Sequence, residues 1–277
     1  MDGMLLSDAE SVELNARCVT TNKTMKKHLK SYQIVSQVLK EMAAMANPGV
    51  TAKEIDEMAA SLVVKLGGTS YNKGYKPAWA KEAFPASTCI SVNDVVCHGI
   101  PDERPLVEGD LVNLDLGVRD SEGNCGDAGF TVAVGTVANK DERLMRYTKK
   151  ILYAGIEQVK AGVSTMEITQ AIYSASVRYG YPLNRNFGGH TIGKEMHMAP
   201  NIYNTIEPHN QYADLVEGQI ICIEPMATHG KDRVGFMDDN GWTIRTQDGK
   251  NCAMYEHMVR VEKDGYTILT DHFTEES

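Results

Sequence analysis

The chain has 277 residues, of which 42% are hydrophobic and 23% charged, the profile of a soluble globular protein long enough to bury a large core. A net charge of −9 argues against an intrinsic nucleic-acid binder, which needs clustered Lys and Arg to meet phosphates. No apolar run reaches the length of a membrane span, the N-terminal stretch lacks the apolar centre of a secretory signal, and the six cysteines form no Cys-x-x-Cys pair, so a cytoplasmic protein with reduced thiols is expected.

Residues 1–25 are polar without clear periodicity and are expected to form a flexible arm, followed by one catalytic-sized domain over 26–277. From Leu29 onward, apolar residues recur at helical spacing through Tyr32, Val35, Val38, Leu39, Met42 and Met45. Asn47–Pro48–Gly49 stops that helix. A second helix opens in "GVTAKEI", where Thr51 and Glu54 have capping-box spacing, and closes at Gly67–Gly68. The same order returns later. An amphipathic helix begins near Asp141, and "GVSTMEI" at 162–168 offers Ser164 and Glu167 as a second capping box, with Gly180 thirteen residues beyond Glu167, as Gly67 lies beyond Glu54. Matching order and length predict a duplicated unit with halves of about 26–138 and 139–277.

Strands are predicted after each helix pair: near 88–92, 111–118 and 130–134, then 219–224, 253–261 and 266–269. Grouped helices followed by grouped strands point to an α+β layout with an antiparallel-rich sheet.

Within those strands stand carboxylates that an apolar run should not contain. Asp115 lies inside Leu111–Leu116, Asp127 opens Ala128–Val134, and the turn-rich residues 120–124 separate them, which predicts a hairpin with one acid on each strand. That pair alone is compatible with an edge or a hydrogen-bonded turn. In the second half, Glu224 directly follows Ile220–Ile223, and Glu256 stands at the centre of the 253–261 run. "FGGHTIGKEMHMAP" adds His190 among glycines and His197 seven residues later. Only Arg119, Lys194 and Arg260 are near enough in sequence to pair with these acids. Four uncompensated carboxylates in a core would be strongly destabilising. A pair of divalent cations satisfies all four, with His190 as nitrogen donor; such ligation suits Mn, Fe, Co or Zn, and bridging carboxylates hold two ions roughly 3.5–4 Å apart.

The ordered set Asp115, Asp127, His190, Glu224, Glu256 resembles the five ligands of the pita-bread metallopeptidases. The words "VVCHGIPD" (95–102), "GHTIGKEMH" (189–197), "IEPM" (223–226) and "YEHMV" (255–259) resemble those of type I methionine aminopeptidases, over roughly residues 30 to 271. The resemblance implies a pita-bread fold, with two pseudo-symmetric halves and a curved sheet covered by helices. It also implies two divalent ions drawn from Co, Mn, Fe, Ni or Zn, with Asp115 on one ion, Asp127 and Glu256 bridging, and His190 and Glu224 completing the other's shell. A metal-bridged hydroxide would attack the peptide carbonyl, Glu224 would shuttle the proton, His197 would bind the carbonyl oxygen and His98 would assist the leaving group. The implied activity is removal of an initiator methionine when the second residue is small. The implied partners are N-terminal Met peptides and nascent chains, with a transient ribosome contact, no nucleic acid, no membrane, and a monomeric state.

For the methionine side chain the resemblance implies a slot involving Cys89, Trp242, Met196 and Phe84, with Tyr71 and Tyr75 as further aromatic candidates. The chain departs from the family pattern in places. The stretch "TSYNKGYKPAWAKEAFPAST" is longer than the usual connection, Met196 stands where Phe is common, and Asp127 follows Asp115 by twelve residues, which implies a longer turn or bulge at 121–124. Two other readings share these features: a prolidase or aminopeptidase P relative, and a non-catalytic pita-bread binding protein, which typically loses ligands that this chain retains.

Overall fold

The computed structural model describes residues 22–231 and 234–275. Of the expected arm, residues 1–21 lie outside the described residues, and 22–25 belong to the first helix. Helix α1 (Asn22–Met45) therefore starts seven residues before Leu29, and it buries Val35, Val38, Leu39 and Met42. Helix α2 (Ala52–Lys65) carries the expected capping box: Thr51 Oγ1 accepts from the Glu54 amide, and the Glu54 carboxylate accepts from the Thr51 amide. Five strands follow: β1 (Gly68–Ser70), β2 (Cys89–Val92), β3 (Val95–Cys97), β4 (Leu111–Asp120) and β5 (Cys125–Ala133).

The second half again opens with two helices, α3 (Asn139–Ile156) and α4 (Thr165–Tyr179). Here the expected capping box is only half built. Ser164 accepts from the Met166 amide, and among the described residues Glu167 returns no side-chain bond to it. The left-handed Gly180 ends α4 as the spacing requires. The remaining strands are β6 (Gly188–Thr191), β7 (Met198–Tyr203), β8 (Ile220–Ile223), β9 (Met226–Thr228), β10 (Phe236–Met237), β11 (Ile244–Arg245), β12 (Cys252–Met254), β13 (His257–Val261) and β14 (Tyr266–Ile268). The single strand expected over 253–261 is thus two, interrupted at Tyr255 and Glu256.

In the first sheet β4 is the spine. β5 runs along one edge, and β1 and β2 share the other, all antiparallel. The β4–β5 register runs unbroken from Leu111↔Ala133 to Arg119↔Cys125, so the turn at 121–124 takes up the length and no bulge forms. Asp120 organises that turn by accepting from the Glu122 and Asn124 amides. The second sheet has the order β14-β13-β8-β6-β7, also antiparallel. A bridge between Phe130 and Tyr255 joins the two halves, beside the bond from the Glu256 amide to Gly129 O at 2.8 Å. The helices lie on the opposite side of the sheets from the acidic residues: α1 rests on β4 and β5, α3 on β9 and β12, α4 on β7. One continuous apolar core, with Leu39, Leu114, Ile151, Ile168 and Val259, fills the space beneath them.

Candidate active site

Strand periodicity places the first two acids. In the β4–β5 register Asp115 faces Gly129 and Gly117 faces Asp127, so each aspartate sits opposite a residue without a side chain. A Cβ on Gly129 would fall 2.7 Å from Met254 Cε, and one on Gly117 2.6 Å from Met196 Cε. The glycines opposite the two carboxylates leave room that the methyls of Met254 and Met196 fill. The break between β12 and β13 places the third. Anchored by its amide to Gly129 O, Glu256 lies beside the hairpin and, by the β8–β13 register that pairs His257 with Ile223, opposite Glu224.

His190 comes from β6, which Gly189 lets approach β8 closely; a Cβ there would collide with the Cys222 carbonyl. His190 Nδ1 lies 3.1 Å from Thr191 O, so Nδ1 carries the proton and Nε2 presents a lone pair. That Nε2 stands 3.6 Å from Asp127 Oδ2 and 3.9 Å from Glu224 Oε1. All five predicted ligands line one cavity of about 670 Å³.

The electrostatics of this floor are those of a site built for cations. Burial, then the charge of Asp127, holds the Asp115 carboxyl well above the ordinary carboxylate range. Glu224 is raised by burial, then by Asp127 and Asp115; Glu256 by burial, then by Asp127, Glu224 and Asp115. Among the described residues no basic side chain contributes to these shifts, although Arg185 lines the same cavity. The three candidates named from the sequence are engaged elsewhere: Arg119 with Glu195 and backbone carbonyls, Lys194 with Glu122 O, Arg260 with Glu262. Glu256 Oε1 is buried with no hydrogen-bond partner. An orphaned acid oxygen, an imidazole lone pair and unpaired carboxylates around one space fit divalent metal ions.

One donor escaped the sequence reading. Ligand atoms of Asp127, His190, Cys222 and Glu256 all lie within 4.8 Å of one another. Cys222 stands two residues before Glu224, and the two-residue period of a strand was the signal that could have found it. This compact group differs from the predicted five, which omit Cys222 and include Asp115 and Glu224. The five line the cavity, whereas Cys222 does not, and burial, then the charges of Glu256, Asp127 and Glu224, raises its thiol. Cys222 backs the site.

Two histidines flank the floor. His98 follows β3 in the left-handed region, at φ 54°, a strained setting for a residue with a side chain. Gly99 behind it presses against the Ile90 carbonyl, which is why glycine follows the histidine in "CHGIP". His98 Nδ1 is buried without a partner, and burial pushes the ring down to about 4, against the opposing pull of Asp127, so it is neutral near pH 7. His197 stands at the rim, exposed along part of its ring, with its centroid 4.6 Å from that of His190 and Nδ1 3.5 Å from Tyr75 OH. Crowding by protein, then by His190, lowers it to about 4 as well.

Of the residues assigned to side-chain recognition, Phe84, Trp242, Met196, Tyr71 and Tyr75 line the cavity. Phe84 and Trp242 meet edge to face at 5.1 Å. Cys89 does not line it; it packs behind Phe84 and Trp242, opposite Asp115 in the β2–β4 register.

Comparison with known proteins agrees with this geometry. The profile of metallopeptidase family M24 matches residues 26–263. The methionine aminopeptidase of Aquifex aeolicus is 34% identical over 253 residues, 91% of this chain and 97% of that protein. The crystal structure of methionine aminopeptidase from Thermotoga maritima superposes with a TM-score of 0.85 at 31% identity, covering 91% of this chain and 98% of that one. The prolidase of Pyrococcus furiosus shares the fold, with a TM-score of 0.73 at 20% identity over 96% of this chain and 68% of its own. The pita-bread fold expected from the sequence is the fold of these neighbours.

Proposed function

The chain belongs to metallopeptidase family M24, and from that premise we propose that it removes the N-terminal methionine from peptides and nascent proteins whose second residue is small. One observation supports this reading above the others: five side chains able to donate to metal, from both halves of the chain, meet on the floor of a cavity whose wall includes Tyr75, Phe84, Met196 and Trp242. Asp115, Asp127, His190, Glu224 and Glu256 would hold two divalent ions, drawn from Co, Mn, Fe, Ni or Zn. When bound, such ions acidify a water near neutral pH and polarise the peptide carbonyl.

The chain's own residues do the rest. The free α-amine of a peptide would be recognised at the metal-bound carboxylates, which suits removal of a single N-terminal residue. Tyr75, Phe84, Met196 and Trp242 offer the unbranched thioether a deformable apolar slot. His197, neutral and at the rim, donates to the carbonyl oxygen; His98, neutral and in contact with Phe187 and Trp242, donates toward the departing amine. Glu224, on the cavity floor 3.9 Å from His190 Nε2, would carry the proton to that amine. The same reading extends to a monomer acting in the cytoplasm on chains emerging at the ribosome, which it would touch transiently. No described helix is long and apolar enough to cross a membrane.

The test is a peptide panel with metal-loaded protein. Methionine should be released from Met-Ala-Ser, slowly or not at all from Met-Leu-Ser, and chelator should abolish release. Preference for Xaa-Pro peptides would assign the chain instead to the prolidase-like branch of its fold.

A further inference from the structure

Trp79 is a large apolar residue left 51% exposed, yet it is not a loose surface side chain. It occupies a turn in which the Ala80 amide bonds to Pro77 O at 3.0 Å. The loop around it is tied at its base by paired bonds, Gly74 N to Phe84 O at 2.9 Å and Phe84 N to Tyr75 O at 2.8 Å. Trp242 Nε1 donates to Glu82 O at 3.0 Å, and Ala80 and Phe84 are buried as plugs on either side. The segment is therefore anchored, and what it holds out is an indole.

That indole lines the cavity. Its ring lies nearly parallel to the His98 imidazole, with centroids 6.2 Å apart and planes at 24°, and meets Trp242 edge-on at 4.9 Å. Phe84 and Trp242, 3% and 4% exposed, form the closed end of the aromatic wall; Trp79 is its open end. An exposed, pre-positioned ring of this kind is what an extended peptide needs for apolar contact at low entropic cost.

We propose that Trp79 is a substrate-contact residue that packs against the peptide beyond the scissile bond, favouring an apolar or aromatic third residue. This rests on the functional reading above, in which His98 faces the departing amine: a ring layered on His98 at the mouth then lies on the leaving side and borders the methionine slot only through its edge contact with Trp242. The second residue is too small to reach across the mouth, so the third is the first side chain able to cover the indole.

The experiment compares metal-loaded wild type, W79A and W79F on Met-Ala, Met-Ala-Gly-Ser and Met-Ala-Phe-Ser. For wild type, kcat/KM should be highest on Met-Ala-Phe-Ser. W79A should lose about 3- to 10-fold there, the size of an aromatic contact, through KM with kcat preserved. It should match wild type on Met-Ala, which has no third side chain, and W79F should recover most of the loss. Equal losses on all three substrates, or no loss on any, would overturn the assignment while leaving the functional reading intact. A wild-type protein that cleaves none of them contradicts that reading, and the proposal with it.

Discussion

Asp127 is the residue on which the others depend, because its charge contributes to the raised carboxyls of Asp115, Glu224 and Glu256 and its oxygen is 3.6 Å from His190 Nε2. Asp127→Asn should leave a folded protein that binds metal more weakly by more than the roughly 10–100-fold that loss of an outer-shell partner costs, with turnover abolished; calorimetric metal titration and the Met-Ala-Ser assay check this. Surviving turnover would remove Asp127 from the ligand set. Cys222, whose thiol lies within 4.8 Å of the Glu256 carboxylate, would be such a partner. Cys222→Val should weaken metal binding about 10-fold or more, and Cys222→Ser should restore it, since a hydroxyl also donates. The raised acids also fix the sign of a pH effect. Without metal, the folded state holds protons at Asp115, Glu224 and Glu256 more tightly than the unfolded chain does. Their contribution is therefore present at acid pH and lost as pH rises from the ordinary carboxylate range through the raised folded values. Added metal takes the place of those protons, so the gain in thermal midpoint on adding Mn or Co should be larger at about pH 7.5 than at about pH 5. A gain that is larger at the lower pH would contradict the site's electrostatics. Buried neutral histidines act in the opposite direction. His98 at about 4 and His272 at about 3 favour the folded state fully above the ordinary imidazole range, and that support is lost as pH falls toward those values.

Among elements, the tightest approach in the site is β6 against β8. Gly189→Ala would drive a methyl into the Cys222 carbonyl, and because neither backbone can yield cheaply the strands must separate. The expected loss is about 1–3 kcal/mol of stability by denaturant titration, together with weaker metal binding as His190 shifts. An unchanged midpoint would show that the strands have slack. What could be read from sequence at this scale follows from periodicity. The helix pairs and the β4–β5 hairpin repeat their apolar residues at 3.6 and 2 over enough length to be recognised, and the acids on the hairpin stood out against that pattern. Strands of two to four residues such as β3, β6 and β11 carry no period, and the break at Tyr255–Glu256 is imposed by a bond to Gly129 from the other half. Ser164 had the spacing of a capping box but forms only its cap, because spacing makes the second bond available without requiring it. The loop bearing Trp79 was illegible for a different reason. Its shape comes from plugs and side-chain bonds to distant residues such as Trp242, and no local rule encodes those.

At the scale of the molecule, the hairpin in the first half contributes Asp115 and Asp127, and the second half contributes His190, Glu224 and Glu256, so neither half alone holds the donors. The aromatic wall is likewise shared: Tyr75 and Phe84 come from one half and Met196 and Trp242 from the other. The candidate site thus lies where the two parts of the chain meet. The family words in the sequence located these residues, whereas their convergence, and the place of Cys222 behind them, required the folded chain. The central claim is that the five donors enclose metal ions, and anomalous scattering from crystals of the metal-loaded protein tests it most directly. Two peaks less than about 4 Å apart, bounded by Asp115, Asp127, His190, Glu224 and Glu256, are the expected result. A peak held by Cys222 in place of Asp115 and Glu224, or no peak among the five, would contradict it.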